Sequence, residues 1–203
     1  MMVEDGDLEV LKLLSSTSSK IAQGEVLQLQ HKGEADLLEE NYIKIINLKT
    51  AALFAAATKV GACISGQDKK KKDALESYGK NLGLAFQIAD DALDYFSKEK
   101  IFGKQIGKDF FEGKVTLPMI IIFQKGNEEE KKFWKRCLEE LEQHPDDLNR
   151  AQSLIKQHST LKDTMTRARH YAALAKASLD LFSDCEAKQA LISVIDFCIE
   201  REF

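Results

Sequence analysis

Three carboxylates, Asp90, Asp91 and Asp94, interrupt an otherwise apolar stretch of helical period between Leu82 and Phe96. On a helix, residues three and four apart share a face, so Asp94 lies beside both other acids, and each like-charge pair costs roughly 0.2–0.5 kcal/mol. The helix is expected to end soon after Phe96, where the negative end of its dipole opposes the acids a second time. A hard divalent cation reverses both penalties. Mg²⁺ takes oxygen from one or two carboxylates and completes its octahedron with water and substrate phosphates, so the triplet reads as half of a diphosphate site.

The other half follows in the chain. Gly103, Lys104, Gly107, Lys108, Asp109, Gly113 and Lys114 form a glycine-punctuated segment in which lysines can act as point charges for phosphate and glycines let the backbone approach a ligand. A lone DDxxD fits a solvated acidic helix end about as well as a metal site. Acids and spaced lysines together make the phosphate reading the stronger one.

The runs FQIADDALD, GKQIGKD and EGKVTLP resemble the second aspartate-rich region of the trans-isoprenyl diphosphate synthases, in particular the long-chain polyprenyl (octaprenyl-type) synthases. Asn47-Leu48-Lys49-Thr50 followed by AALFAAATKVGA resembles the Lys-Thr helix of that family, and GEVLQL, ARHYAALA and VIDFCIEREF resemble other segments. The resemblance implies an all-α fold and a reaction in which an allylic diphosphate loses pyrophosphate, isopentenyl diphosphate attacks the resulting cation, and a proton leaves. It implies that Asp90, Asp91 and Asp94 hold one Mg²⁺, with Asp90 the direct ligand. Lys49, Lys104 and Lys114 would contact the allylic diphosphate, Thr50 would share the wall of the cavity, and the Gln87 amide would stabilise the cation without trapping it. The family also carries a first aspartate-rich motif with following arginines, and no second DDxxD occurs in these 203 residues. The expectation is a synthase lacking roughly its amino-terminal third, working as a homo-oligomer or with a complementing chain. The alternatives are a non-catalytic partner subunit and a degenerate fragment.

Composition sets the frame for these residues. With 203 residues, 44% hydrophobic content and two prolines, the chain can build a single domain, 1–203, with a sizeable core. A net charge of −4 argues against a nucleic-acid binder, which needs a basic face. The one dense basic run, Lys69 to Lys72, reads as a solvated loop between helices. Cys63, Cys137, Cys185 and Cys198 lack metal-ligand spacing and read as free thiols, buried except for Cys185. No uncharged apolar run is long enough to span a bilayer, and the start MMVEDGD lacks the parts of a signal peptide, so a cytoplasmic chain is expected.

The elements that must position the site are helices. Asp7 is a cap for a first helix carrying Leu8, Leu11, Leu14 and Ile21 as a core-facing stripe that continues through Val26 and Leu29. Its Glu25 and Gln28 read as surface residues without a catalytic role. A second helix begins near Glu39, and a third runs from Thr50 to Ile64 and stops at Gly66. The Asp-bearing helix runs from Asp73 to Phe96, weakened by Gly79 and Gly83, so packing must hold it. Pro118 opens a buried helix through MIIIF. Further helices span Glu128 to Glu142, follow Asp146, and occupy Ala168 to Phe182 and Ala187 to Glu200. The histidines at 31, 144, 158 and 170 lie far apart in the chain and support no histidine-based site. No stretch alternates long enough for a sheet, so the fold class is all-α, many antiparallel helices joined by short loops.

Overall fold

A computed structural model describes residues 6–96 and 106–200, and these form an all-α protein. In chain order the helices are α1 (Leu8–Gln30), α2 (Glu39–Ile46), α3 (Ala52–Ile64), α4 (Lys69–Phe96), α5 (Lys108–Phe111), α6 (Leu117–Lys125), α7 (Glu128–Leu138), α8 (Asp147–Gln157), α9 (Thr160–Ala177) and α10 (Glu186–Ile199). A π-helical turn, Asn47–Ala51, joins α2 to α3.

Helix α4 is the axle. Its 28 residues make it about 42 Å long at 1.5 Å per residue, and it packs along both α3 and α9. Around its carboxyl-terminal half lies the larger core, in which Leu84, Ile88 and Tyr95 meet the apolar run of α6 and the Phe133–Trp134 pair of α7. Around its amino-terminal half a second core joins Tyr78, Leu82 and Ala85 to Ala172, Ala175, Leu179 and Ile195. The two glycines of α4 face α3: a Cβ on Gly79 would come within 2.4 Å of the Phe54 carbonyl oxygen, and one on Gly83 within 2.7 Å of the Ala51 Cα. The weak intrinsic helicity of α4 is thus the condition for its close approach to the alanine-rich helix.

The helix ends follow local chemistry. Asp7 accepts from the Glu9 and Val10 amides at 2.8 and 3.1 Å, which caps α1 as expected. Helix α3 closes with the Gln67 amide on the Ala62 carbonyl and the Gly66 amide on the Cys63 carbonyl, a Schellman closure. Asn127 and Glu130 form a reciprocal capping box on α7. Cys63, Cys137 and Cys198 are buried, Cys185 is exposed, and none of the four is in a disulfide, as the sequence indicates.

Three expectations change. Lys69 to Lys72 is the first turn of α4 rather than a loop, because Asp68 accepts the Lys71 amide at 2.9 Å and starts the helix before the basic run. The expected stripe of α1 is only partly inward: Leu8, Val26 and Leu29 are 78%, 55% and 70% exposed. The helix packs through one narrow line, Val10, Thr17 and Gly24, whose seven-residue spacing is two turns, so the flanking leucines and valine stay outside. The penultimate helix begins at Thr160 rather than near Ala168.

Candidate functional site

The carboxyl-terminal end of α4 carries Asp90, Asp91 and Asp94, and the chain after it folds back onto that end. The Gly107 amide donates to the Asp94 carbonyl at 2.8 Å, and the Asp109 amide donates to the Asp94 carboxylate at 3.0 Å. Gly107 adopts φ +74°, and a Cβ there would meet Leu148 Cδ1 at 2.5 Å, so this return requires glycine. The turn then delivers Lys114, whose ammonium donates to Asp109 at 2.9 Å and to Asp91 at 3.3 Å.

Asp91 is the inner member of the triplet, 1% exposed. Its Oδ2 accepts from the Tyr42 hydroxyl of α2 at 2.6 Å, and its Oδ1 accepts from the Gln87 amide at 2.9 Å as well as from Lys114. Gln87 in turn accepts from the Thr50 hydroxyl at 2.8 Å. A continuous polar wall therefore runs from Thr50 in the π turn, through Gln87 and Asp91, to Lys114, Asp109 and Asp94. Asp90 and Asp94 are half-buried on the same helix end.

The electrostatics follow from crowding three acids, Asp91, Asp94 and Asp109, around one lysine. Burial pushes Asp91 above the ordinary carboxylate range against the pull of Lys114. Burial, then the negative charge of Asp109, pushes Asp94 up to about 6. Burial pulls the Lys114 ammonium down, but Asp91 and Asp109 outweigh it and hold the ammonium charged well above the usual lysine range. Burial and the neighbouring Asp91 raise the Tyr42 hydroxyl far enough to keep it a proton donor. These are hard oxygen donors with an excess of negative charge, a set that fits a divalent cation. Among the described residues no three metal-ligating side chains are grouped to hold an ion by themselves.

The expected residues divide into two places. Thr50, Gln87, Asp91, Asp94 and Lys114 share the wall just described. Lys49 turns the other way: its ammonium donates to Gln28 at 2.7 Å and to Glu25 at 3.0 Å, both on α1. Lys104 lies outside the described residues. Tyr42, Glu25, Gln28 and Asp109 received no role from the sequence, although Asp109 belongs to the glycine-punctuated segment and could have been drawn in by its spacing. A cavity of about 440 Å³ opens between α1, α3 and the first half of α4, lined by Thr17, Leu48, Ala52, Ala55 and Lys80 among others, with none of the aspartate triplet. No described helix is long and apolar enough to cross a membrane.

A family model described as polyprenyl synthetase matches residues 1–155. The chain is 35% identical to the octaprenyl diphosphate synthase of Escherichia coli, with 100% of this chain and 62% of that protein aligned. Among solved structures, the polyprenyl synthase of Caulobacter crescentus complexed with calcium and isoprenyl diphosphate superposes with a TM-score of 0.94 at 43% identity, covering 98% of this chain and 61% of that one. A decaprenyl diphosphate synthase from Rhodobacter capsulatus gives a TM-score of 0.92 at 40% identity, covering 98% and 62%. The chain thus spans about three fifths of the length of the curated relatives it matches.

Proposed function

This chain belongs to the polyprenyl synthetase family, and from that premise we propose that it is the diphosphate-binding portion of a trans-polyprenyl diphosphate synthase. In this reading it joins an allylic diphosphate to isopentenyl diphosphate in isoprenoid (quinone side-chain) biosynthesis, in the cytoplasm. The single observation that carries it is the buried linkage of Asp91 to Lys114 and Gln87 beside Asp94, an arrangement an acidic helix end on the surface has no need of. The Caulobacter crescentus polyprenyl synthase, complexed with calcium and isoprenyl diphosphate, supports a divalent cation and a prenyl diphosphate as ligands of this fold.

In the reaction, the allylic carbon–oxygen bond breaks with its electrons leaving on diphosphate. The terminal alkene carbon of isopentenyl diphosphate then bonds to the allylic carbon, and a proton is lost to restore a trans double bond. Asp90 and Asp94 would hold Mg²⁺, which when bound neutralises the departing diphosphate. Lys114 supplies a fixed positive charge on the same side, held in place before the substrate arrives, so it needs no reorganisation as charge develops. Lys104 would add a second. Lys49 would reach the diphosphate by leaving Glu25 and Gln28. The Gln87 amide oxygen and the Thr50 hydroxyl face the reacting carbon with dipoles rather than nucleophiles.

The test is elongation of farnesyl diphosphate with labelled isopentenyl diphosphate and Mg²⁺. Because the sequence holds one DDxxD, the chain alone is expected to give negligible product. Activity should appear when a polypeptide bearing the first aspartate-rich motif is added, and Asp90→Ala should abolish it. Robust elongation by the chain alone would remove the two-chain reading. Failure to elongate or to bind pyrophosphate under every condition would leave the non-catalytic partner subunit.

A further inference from the structure

The three acids of the DDALD run are not equivalent in their surroundings. Asp91 is 1% exposed, and both of its oxygens are occupied from within the fold, one by Tyr42 at 2.6 Å and the other by Gln87 at 2.9 Å and Lys114 at 3.3 Å. Turning this carboxylate outward to a cation would strand the Tyr42 hydroxyl, itself 2% exposed in the larger core, and an unsatisfied buried donor is strongly disfavoured. It would also separate Lys114 from one of its two acids. Asp90 and Asp94 stand on the same helix end with partial exposure.

We propose that Asp91, backed by Tyr42, is a positioning residue that fixes the Lys114 ammonium on the diphosphate side and sets the orientation of the Gln87 amide, while cation binding falls to Asp90 and Asp94. This rests on the reading of the site as a diphosphate centre, but its anchoring half concerns only the chain itself. Tyr42 lies 49 residues from Asp91 in sequence, on a helix to which neither composition nor motif assigns a role. Its contribution is to hold one carboxylate oxygen inward, so that the other oxygen presents a single direction to both Lys114 and Gln87. Gln87 is then held from both ends, since its amide nitrogen donates to Asp91 and its amide oxygen accepts from Thr50 at 2.8 Å. The orientation of that amide, oxygen toward Thr50, is thus set by the acid and the tyrosine together.

Two measurements on the full chain test this. The first follows the side-chain ¹⁵N signals of labelled lysine, with that of Lys114 identified by its loss in Lys114→Arg and no metal present. Asp91→Asn and Tyr42→Phe should each move the Lys114 signal toward that of a solvent-exposed lysine, with helix content unchanged by circular dichroism. A Lys114 signal unchanged in both variants overturns the anchoring role. The second measures Mn²⁺ binding by electron paramagnetic resonance in the presence of inorganic pyrophosphate. Asp90→Asn, which removes a ligand, should weaken binding by ~100-fold or more, whereas Asp91→Asn should weaken it by no more than ~10-fold, the lower end of what losing a supporting side chain does. Equal losses in the two variants overturn the division of roles. Absence of Mn²⁺ binding in the wild-type chain would sink the proposed function and the cation assignment together, and the lysine signals would still decide the anchor.

Discussion

Asp94 is bonded twice to the segment that follows it: its carboxylate accepts the Asp109 amide at 3.0 Å, and its own carbonyl accepts the Gly107 amide at 2.8 Å. These bonds close the return of the chain, and Asp109 completes it by holding Lys114 at 2.9 Å. Replacing Asp109 with alanine is expected to leave the helices intact but to loosen this return, with a loss of about 1–2 kcal/mol for the charge-assisted bond. Urea unfolding reads the stability, and amide hydrogen exchange at residues 107–114 reads the loosening. Exchange as slow as in the wild type would show that Asp109 does not hold the turn.

Gly83→Ala places a Cβ 2.7 Å from the Ala51 Cα. The intrinsic gain in helicity of about 1 kcal/mol is expected to lose to an overpacking penalty of about 1–3 kcal/mol. The net expected effect is a lower urea midpoint. An increased midpoint would mean that α3 and α4 move apart without penalty.

Arg136 and Asp147 give a pH dependence that does not involve the aspartate triplet. The Arg136 guanidinium donates to Asp147 at 2.9 Å and, with the His144 amide, holds its carboxyl down to about 2 from an ordinary 3.8. The unfolded chain therefore binds more protons between these values, and the stabilisation is present above pH ~4 and fades as pH falls toward ~2. Asp147→Asn is expected to lose about 2 kcal/mol at pH 7, and its deficit relative to wild type should shrink steadily below pH ~4. A deficit independent of pH would trace the loss to packing instead of charge.

The outward apolar side chains of α1 should make the isolated chain associate. Val26 and Leu29, three residues apart on one face of α1, are both more than half exposed, and contiguous exposed apolar surface favours self-association. Sedimentation velocity and hydrophobic-dye fluorescence are expected to show concentration-dependent assembly, reduced in a Val26→Glu, Leu29→Glu double variant. A compact monomer without dye binding in the wild type would contradict this.

What could be read from the sequence was what lies along one helix or within one loop. Asp90, Asp91, Asp94 and Gln87 follow from helical spacing, and Lys114 follows from a short glycine-punctuated return, so their neighbourhood was visible before the fold. Tyr42 was not, because it reaches Asp91 only after α2 and α4 pack. Glu25 and Gln28 read as surface residues, and their partnership with Lys49 spans 24 and 21 residues. The apolar stripe of α1 misled because hydrophobic periodicity marks which side chains could be buried, not how wide a face the neighbours offer. Lys69 to Lys72 misled because charge density outweighed the single capping acid, Asp68.

The π-helical turn Asn47–Ala51 behaves as a spacer of one residue. A π turn holds one residue more than an α turn, and each residue advances a helix by about 100°, so this insertion sets the angular offset of everything before it relative to everything after it. Lys49 addresses α1 and Thr50 addresses α4 from adjacent positions in this turn. Deleting Asn47 would leave the charge and every other side chain untouched, yet rotate α2 against α3 by about a quarter-turn. Tyr42, before the spacer, and Thr50, near its end, meet the same wall through Asp91 and Gln87, and would then fall out of phase. For this chain, insertions and deletions at 47–51 should be far less tolerated than substitutions at the same positions.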